Sequence, residues 1–105
     1  MMRLHGFETN LADVWCIERS LVSDERGFLS RLFCSNELLA FGWRWPIAQI
    51  NHACTEKSGT VRGMHFQQYP NCEAKLVSCI KGSIWDVAVD LRRGSPTFLK
   101  WTAQV

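Results

Sequence analysis

The stretch TVRGMHFQ, Thr60 to Gln67, decides how the chain is interpreted. It places an arginine, a glycine and a histidine close together inside an apolar run that is typical of a β-strand. A histidine is costly to bury unless it is hydrogen-bonded, and it is the side chain best suited to proton transfer near neutral pH. A strand histidine can also be purely structural, so His65 alone leaves both interpretations open.

The second informative segment is AKLVSCIKGSIWDVAVDLR, Ala74 to Arg92. Its Gly-Ser pair at 82–83 is typical of a two-residue type II′ hairpin turn, which would pair Cys79 with Asp86. One face of this predicted hairpin is apolar, whereas the other is small and charged, so the charged face could line a cavity or face water. The apolar face holds Leu76, Ile80, Trp85, Val87, Val89 and Leu91, and the charged face holds Lys75, Cys79, Asp86, Ala88 and Asp90.

Short strands are predicted along the rest of the chain as well. Residues 1–12 carry little pattern and are expected to be a loose lead-in. Ser35 is a candidate N-cap for a short helix over residues 36–41 that ends at Gly42. Many short strands with one short helix predict an all-β sandwich or barrel. The further predicted strands are Val14–Glu18, Phe28–Cys34, Ile47–Ala53 and Thr97–Val105. A polar turn, SDERG, is predicted over residues 23–27.

Length and composition predict one small globular domain of ordinary character. The 105 residues are 47% hydrophobic and 21% charged. The net charge is only +2 and the basic residues are scattered, so no nucleic-acid or anionic membrane surface is expected. The chain also lacks an apolar run of membrane-spanning length and an N-terminal signal peptide, and a cytoplasmic protein is therefore expected.

Neither cysteines nor histidines predict a bound metal. The five cysteines show no C-x-x-C spacing, so they are expected to be buried free thiols without a disulfide or zinc site. A cupin-type metal site normally uses H-x-H, but Gln67 stands two positions after His65, and His5 and His52 are isolated. We expect a metal-free site with no cofactor.

Several motifs together resemble one family. DERGFLSRLF, QINHACTEKSGTVRGMHFQ and AKLVSCIKGSIWDVAVDLRRGSPTFLKW closely resemble the dTDP-4-dehydrorhamnose 3,5-epimerase family, cupin-like jelly rolls of nucleotide-sugar biosynthesis. The likeness runs from about Val14 to Val105, and the motif combination is more specific than any single motif. The resemblance implies an all-β, cupin-like jelly roll. Residues 1–105 would form a single truncated domain holding only the N-terminal half to two-thirds of it.

The resemblance also implies a reaction. Family members act on a 4-keto sugar carried by a nucleoside diphosphate, removing protons beside the ketone and returning them on the opposite face. His65 would be the base, Lys75 would stabilise the enolate oxygen, and Asp86 would hold the histidine or the sugar. These roles favour the interpretation that the charged hairpin face lines a cavity. The resemblance also implies that the reaction supplies dTDP-rhamnose for cell-surface polysaccharide such as lipopolysaccharide. The positions implied to contact nucleotide or sugar are Arg26, Gln49, Asn51 and Arg62.

The chain departs from the family pattern in three ways. Arg31 stands where the family usually has an acidic residue, and Ile50 replaces the middle residue of the usual Q-D-N. The family runs to about twice this length, and its tyrosine proton donor, its second histidine and the carboxylate paired to the catalytic histidine lie in the half without a match here. Tyr69 lies in the wrong segment to replace the donor.

Three interpretations therefore stay open. The protein is an epimerase, a non-catalytic remnant or nucleotide-sugar-binding module, or a relative that epimerises one centre or isomerises the ketone. Family members form dimers that exchange strand contacts, so a homodimer is expected. An uncovered apolar hairpin face (Trp85, Val87, Val89 and Leu91) would also favour self-association.

Overall fold

The computed structural model describes residues 3–105 and consists mostly of short strands with little helix. The described strands form three separate two-stranded antiparallel sheets. The elements in chain order are β1 (Leu4–Glu8), β2 (Trp15–Arg19), β3 (Leu21–Asp24), β4 (Gly27–Ser30), α1 (Ser35–Leu38), a 3₁₀ helix (Leu39–Phe41), β5 (Asp86–Val89) and β6 (Trp101–Gln104).

The chain divides into two compact units. The split unit combines Met1–Arg44 with Val77–Val105 and carries every helix and strand of the described chain. The middle unit, Trp45–Leu76, consists of turns and irregular backbone with no helix or strand.

The N-terminal segment is ordered into a hairpin, so the prediction of a loose lead-in over residues 1–12 is wrong for the described part. Leu4 of β1 pairs with Arg19 of β2, and its amide donates to Glu37 Oε2 at 2.6 Å. Backbone pairing and side-chain burial together outweigh the weak sequence pattern. The buried apolar side chains of the described chain are Leu4, Leu11 and Leu38.

An aromatic contact joins this hairpin to the 3₁₀ helix. The Phe41 ring lies over Gly6 so closely that a Cβ at position 6 would be 2.2 Å from Phe41 Cε1. The same ring lies 5.1 Å from the Trp15 ring, measured between centroids, with a tilt of 50°. A side chain at position 6 would therefore displace Phe41 and loosen the split unit.

The short helix ends where the sequence predicts but begins differently. Gly42 takes the left-handed conformation at φ 91°, and its amide donates to the Leu39 carbonyl at 3.1 Å, which confirms the predicted C-terminus. The predicted Ser35 N-cap is wrong, because Cys34 occupies that position and makes no side-chain cap bond. Glu37 instead uses its carboxylate to accept the Leu4 amide and to pair with Arg31.

The β3–β4 hairpin turns through the polar segment, as predicted, but its strands have different limits. Asp24 pairs with Gly27 at the turn, so β3 already includes part of the predicted polar loop. The predicted strand Phe28–Cys34 is shortened to Gly27–Ser30, because the chain turns into α1 soon afterwards. The predicted strand Val14–Glu18 is confirmed with a shift of one residue.

The predicted register of the downstream hairpin is wrong. Asp86 of β5 pairs with Gln104 of β6, not with Cys79. The predicted strands Ile47–Ala53 and Thr60–Gln67 are also not strands, and only Trp101–Gln104 of the predicted last strand is one. A strand needs a neighbour to accept and donate its backbone hydrogen bonds, and the described chain supplies none for these segments.

The apolar side chains on and beside β5 are largely exposed. Trp85 is 68% exposed, Leu91 is 48% exposed, and Val89 is 38% exposed, whereas Val87 is half-buried. The split unit therefore carries an unburied apolar surface beside β5.

Candidate functional site

All seven predicted site residues are exposed to solvent. Two of them lie in the split unit, namely Arg26 and Asp86. The other five lie in the middle unit, namely Gln49, Asn51, Arg62, His65 and Lys75.

His65 lies directly beside Gly63. A Cβ at position 63 would be 3.3 Å from His65 Nδ1, a separation tighter than ordinary packing, and the backbone at Gly63 has φ +106°. A side chain at position 63 would therefore both strain the backbone and press on the imidazole. Glycine at this position lets the exposed ring of His65 take its place.

Arg62 makes a hydrogen bond across the turn at residues 57–59 of the middle unit. Its Nη2 donates to the Cys54 carbonyl oxygen at 3.0 Å. The residue is exposed, so its guanidinium combines a structural bond with a surface open to anionic ligands.

Lys75 forms an ion pair with Glu73, with its Nζ 3.1 Å from Glu73 Oε1. The two side chains are 49% and 39% exposed, so water screens the attraction and the pair contributes little to stability. The Lys75 ammonium can therefore leave Glu73 for a substrate oxygen at small cost.

Gln49 and Asn51 lie in irregular, unpaired backbone. The sequence places them on one face of a strand, but the structure forms no strand there. The intervening Ile50 is 81% exposed. The two amides are therefore accessible, but no backbone ladder holds them on a common face.

Arg26 lies in the turn of the β3–β4 hairpin and is held by Asp24. Its Nη2 donates to Asp24 Oδ2 at 2.6 Å, and its backbone amide donates to Asp24 Oδ1 at 2.8 Å. The side-chain bond from Arg26, followed by the backbone bond, lowers the pKa of Asp24, and Asp24 in turn raises the pKa of Arg26. The Arg26 side chain is 84% exposed, so it can reach a ligand.

Asp86 is the first residue of β5 and pairs with Gln104 of β6. Side chains alternate along the strand, so Asp86, Ala88 and Asp90 share one side. Burial rises along that side from exposed Asp86 through half-buried Ala88 to buried Asp90. The strand thus presents one carboxylate to solvent and encloses the other.

Asp90 is not on a cavity-lining charged face, and that interpretation of it was wrong. Its side chain is 2% exposed and accepts hydrogen bonds from Arg92 Nε at 3.0 Å, Ser95 Oγ at 2.5 Å and Thr97 Oγ1 at 2.6 Å. The Arg92 side chain first, then the two hydroxyls, lowers the pKa of Asp90 far below its ordinary value. An Asp-x-Arg followed by Ser-x-Thr could have signalled this cluster from the sequence.

The Asp90 cluster also binds the loop between β1 and β2. Arg92 Nη1 donates to Asp13 Oδ2 at 2.8 Å, and Arg92 Nη2 donates to the Ala12 carbonyl at 2.7 Å. The Ala12 amide donates to Thr97 Oγ1 at 3.1 Å. Asp90 and Asp13 together raise the pKa of Arg92 above its ordinary value, so its charge is permanent. The polar groups of this cluster are therefore paired with each other.

Two features are absent from residues 3–105, a cluster of metal-ligating side chains and a membrane-spanning helix. No group of three or more His, Cys, Asp or Glu side chains there could hold a metal ion. No helix in the same residues is long and apolar enough to cross a membrane.

The cysteines are free thiols but not buried ones, so the expectation of burial is wrong. Cys54 and Cys72, both in the middle unit, are exposed. Cys16, Cys34 and Cys79 are half-buried.

Comparison with known proteins gives matches over nearly the whole chain. A family model described as dTDP-4-dehydrorhamnose 3,5-epimerase matches residues 8–105. The enzyme of that name from Shigella flexneri is 41% identical over 99 residues, which cover 93% of this chain and 54% of that protein. A dTDP-4-dehydro-6-deoxyglucose 3-epimerase from Streptomyces bikiniensis is 38% identical over 93 residues, 88% of this chain and 47% of that protein.

A solved structure is similar as well. The crystal structure of dTDP-4-dehydrorhamnose 3,5-epimerase from Bacillus anthracis str. Ames, with TDP and PPi bound, matches with a TM-score of 0.89 and 37% identity. The match covers 96% of this chain and 58% of that one. The chain thus spans about half the length of the curated relatives it matches.

Proposed function

Because the chain belongs to the dTDP-4-dehydrorhamnose 3,5-epimerase family, we propose that its protein epimerises a dTDP-linked 4-keto-6-deoxyhexose at the carbons beside the ketone. The observation that carries this proposal is the likeness to the Bacillus anthracis enzyme, whose structure holds TDP and PPi. Those two ligands are the nucleoside and diphosphate chemistry that the proposed substrate would present. We expect the reaction to supply dTDP-rhamnose in the cytoplasm.

We assign the base to His65. A neutral imidazole can remove the proton on a carbon next to the ketone, and the C–H bonding electrons then become the enolate double bond while the carbonyl oxygen gains the charge. Return of a proton to the opposite face of that carbon inverts the centre. The exposed ring beside Gly63 supports the assignment, because a substrate can reach it.

Lys75 and Asp86 would support that step. The Lys75 ammonium would move from Glu73 to the enolate oxygen, where a cation stabilises the charge that develops in the transition state. Asp86 would hold the imidazole or a sugar hydroxyl by accepting a hydrogen bond. The reaction needs no metal, because the ammonium takes the place of a Lewis acid.

The nucleotide would be held by two arginines and two amides. Arginine suits a diphosphate because its planar guanidinium makes forked, charge-assisted hydrogen bonds. Arg26 is exposed at a hairpin turn, and Arg62 is exposed in the middle unit. Gln49 and Asn51 would complete the set through hydrogen bonds to the sugar or base.

We also propose that the functional protein is a homodimer of cupin-like jelly rolls. Exposed apolar side chains on β3 and β4, such as Leu21 and Phe28, support further pairing at these strands. Sedimentation of the purified protein tests the dimer, and a monomer at all concentrations would refute it.

The proposed reaction is tested with the protein expressed from the complete reading frame that carries this chain. Incubation with the dTDP-4-keto sugar in D₂O should place deuterium at both carbons beside the ketone, observed by NMR. His65→Ala should lower that rate by about 10²–10⁴-fold without unfolding the protein, as expected for loss of a general base. An unchanged rate in the folded variant would refute the base assignment.

A second candidate is epimerisation of one centre only. It is favoured by the Streptomyces bikiniensis relative, which is named a 3-epimerase. The same NMR experiment distinguishes the two, because a one-centre enzyme would place deuterium at a single carbon. If dTDP bound but no carbon exchanged, the protein would be a non-catalytic nucleotide-sugar-binding module. Added chelator should change nothing, and a loss of activity would point to a metal.

A further inference from the structure

We propose that Asp90 is a positioning residue that locks the register of β5 against β6 and so sets where Asp86 stands. The effect on catalysis rests on the proposed function of Asp86, whereas the effect on the register of β5 and β6 does not. Asp90 and Asp86 are the two ends of one paired segment, and only Asp90 is buried.

The backbone of Asp90 closes the β5–β6 ladder. Its amide donates to the Lys100 carbonyl at 2.9 Å, and its carbonyl accepts from the Leu99 amide at 2.7 Å. Leu99 has φ 63°, a left-handed conformation that is uncommon for leucine. The connection back to β6 therefore ends in a turn that needs support from elsewhere.

The carboxylate of Asp90 supplies that support from inside the connection. It accepts from the Arg92 amide at 3.0 Å, and from the hydroxyls of Ser95 and Thr97. These donors follow one another along the connection, so one side chain holds its start and its middle. Thr97 Oγ1 in turn accepts from the Ala12 amide, which ties the turn to a distant loop.

A fixed connection matters because strand register has a period of two. A slip of one residue turns every side chain of a strand to the opposite face. Without the Asp90 bonds, β5 can shift relative to β6 and turn Asp86 away from its present side. The strand is only four residues long, so few other ladder bonds oppose the slip.

The structural part is tested by backbone hydrogen exchange on the whole protein carrying Asp90→Asn. An amide has one acceptor oxygen in place of two, so some of the five donors to the carboxylate lose their partner. We expect exchange to rise about 10-fold or more at β5 and β6 and to stay unchanged at β3 and β4, which make no bond to the Asp90 cluster. Unchanged exchange at β5, or an equal rise in all three sheets, would overturn the proposal.

Two further variants control the experiment. Asp24→Asn removes a carboxylate with the same Asp-x-Arg spacing in the exposed hairpin, and it should leave β5 and β6 unchanged. Thr97→Val removes one donor only and should raise exchange at the same amides as Asp90→Asn, by less. If Asp90→Asn does not fold, Thr97→Val decides by the same criterion.

The catalytic part is tested by a double-mutant cycle on kcat. We expect Asp90→Asn to lower kcat with little change in KM, and to cause no further loss when Asp86 is already Asn. A purely structural effect would instead multiply in the double variant, which would refute positioning. Full activity of Asp86→Asn would refute the proposed role of Asp86 and leave the exchange result standing.

Discussion

Two Asp-x-Arg turns in this chain share one local geometry and have opposite surroundings. In both, the aspartate Oδ1 accepts from the arginine backbone amide, at 2.8 Å for Asp24 and 3.0 Å for Asp90. In both, the guanidinium also forks onto the carboxylate. The Asp24 side chain is nevertheless 41% exposed, whereas that of Asp90 is 2% exposed.

The difference shows that one sequence pattern can serve two purposes. The side chain of Arg26 is paired with one exposed partner, Asp24, which a diphosphate could replace at little cost in free energy. Arg92 is shared among Asp90, Asp13 and the Ala12 carbonyl, so a ligand would have to break several bonds to recruit it. We therefore expect the Asp24–Arg26 turn to bind the diphosphate and the Asp90–Arg92 turn to stabilise the fold.

The largest expected effect is that of Asp90→Asn on stability against acid. Its pKa is lowered in the folded state, so its stabilisation is complete above the ordinary value of 3.8 and declines as the pH falls below that value. The variant should be the least stable of this set at neutral pH. Below about pH 4, the free energy of unfolding of the variant should also fall less steeply as the pH decreases. The difference in slope should correspond to about one bound proton. Denaturant titrations from pH 3 to 6 measure both, and a parental slope in the variant would contradict the mechanism.

Arginine-to-lysine changes should separate the two turns next. Lysine carries the charge but cannot fork, so Arg92→Lys should lower the melting temperature. Arg26→Lys should leave the melting temperature unchanged but weaken dTDP binding. Thermal melts and dTDP titration of both variants measure the contrast. Equal melting temperatures for the two variants would show that the difference in burial between Asp24 and Asp90 does not affect stability.

The glycines that follow each turn give a smaller contrast. Gly27 has φ +135°, where a side chain is strained, whereas Gly94 has open space around it and no positive φ. Gly27→Ala should cost about 1 kcal/mol or more, whereas Gly94→Ala should be neutral or stabilise by about 0.4–1 kcal/mol. Chemical denaturation measures both. A larger loss for Gly94→Ala would mean that the second turn is the more strained one.

The smallest expected effect is that of salt on the exposed turn. Asp24→Asn should leave the unfolding midpoint almost unchanged, and 0.5 M salt should remove what difference remains, because exposed ion pairs are screened. The difference in unfolding midpoint between Asp90→Asn and the parent protein should persist at the same salt concentration. Denaturant midpoints at low and high salt decide this, and a salt-sensitive Asp90 would contradict its burial.

Local signals in the sequence predicted part of the fold well. The glycine at 42 ended the helix as predicted, since only the residue's own backbone freedom is needed there. The polar turn at 24–27 likewise lies between paired strands. Residues 47–53 and 60–67 have strand-like sequences but form no ladder, because a strand depends on a partner and not on its own propensity.

The candidate site divides in the same way. The identities of His65, Lys75 and Asp86 as site residues came from motifs, and these assignments remain predictions. The closeness of Gly63 to the His65 ring could not be read from the sequence, because it depends on backbone angles.

The sequence by itself determined the family of this protein, because the identity and spacing of the motif residues can be read without a structure. It also determined which residues carry protons, charge and hydroxyls. Only the tertiary structure decided that Asp90 is enclosed while Asp24 is open to water. The physical reason is that burial comes from distant segments: Ala12 reaches Thr97 and Arg92 across most of the chain, and no local pattern encodes that approach.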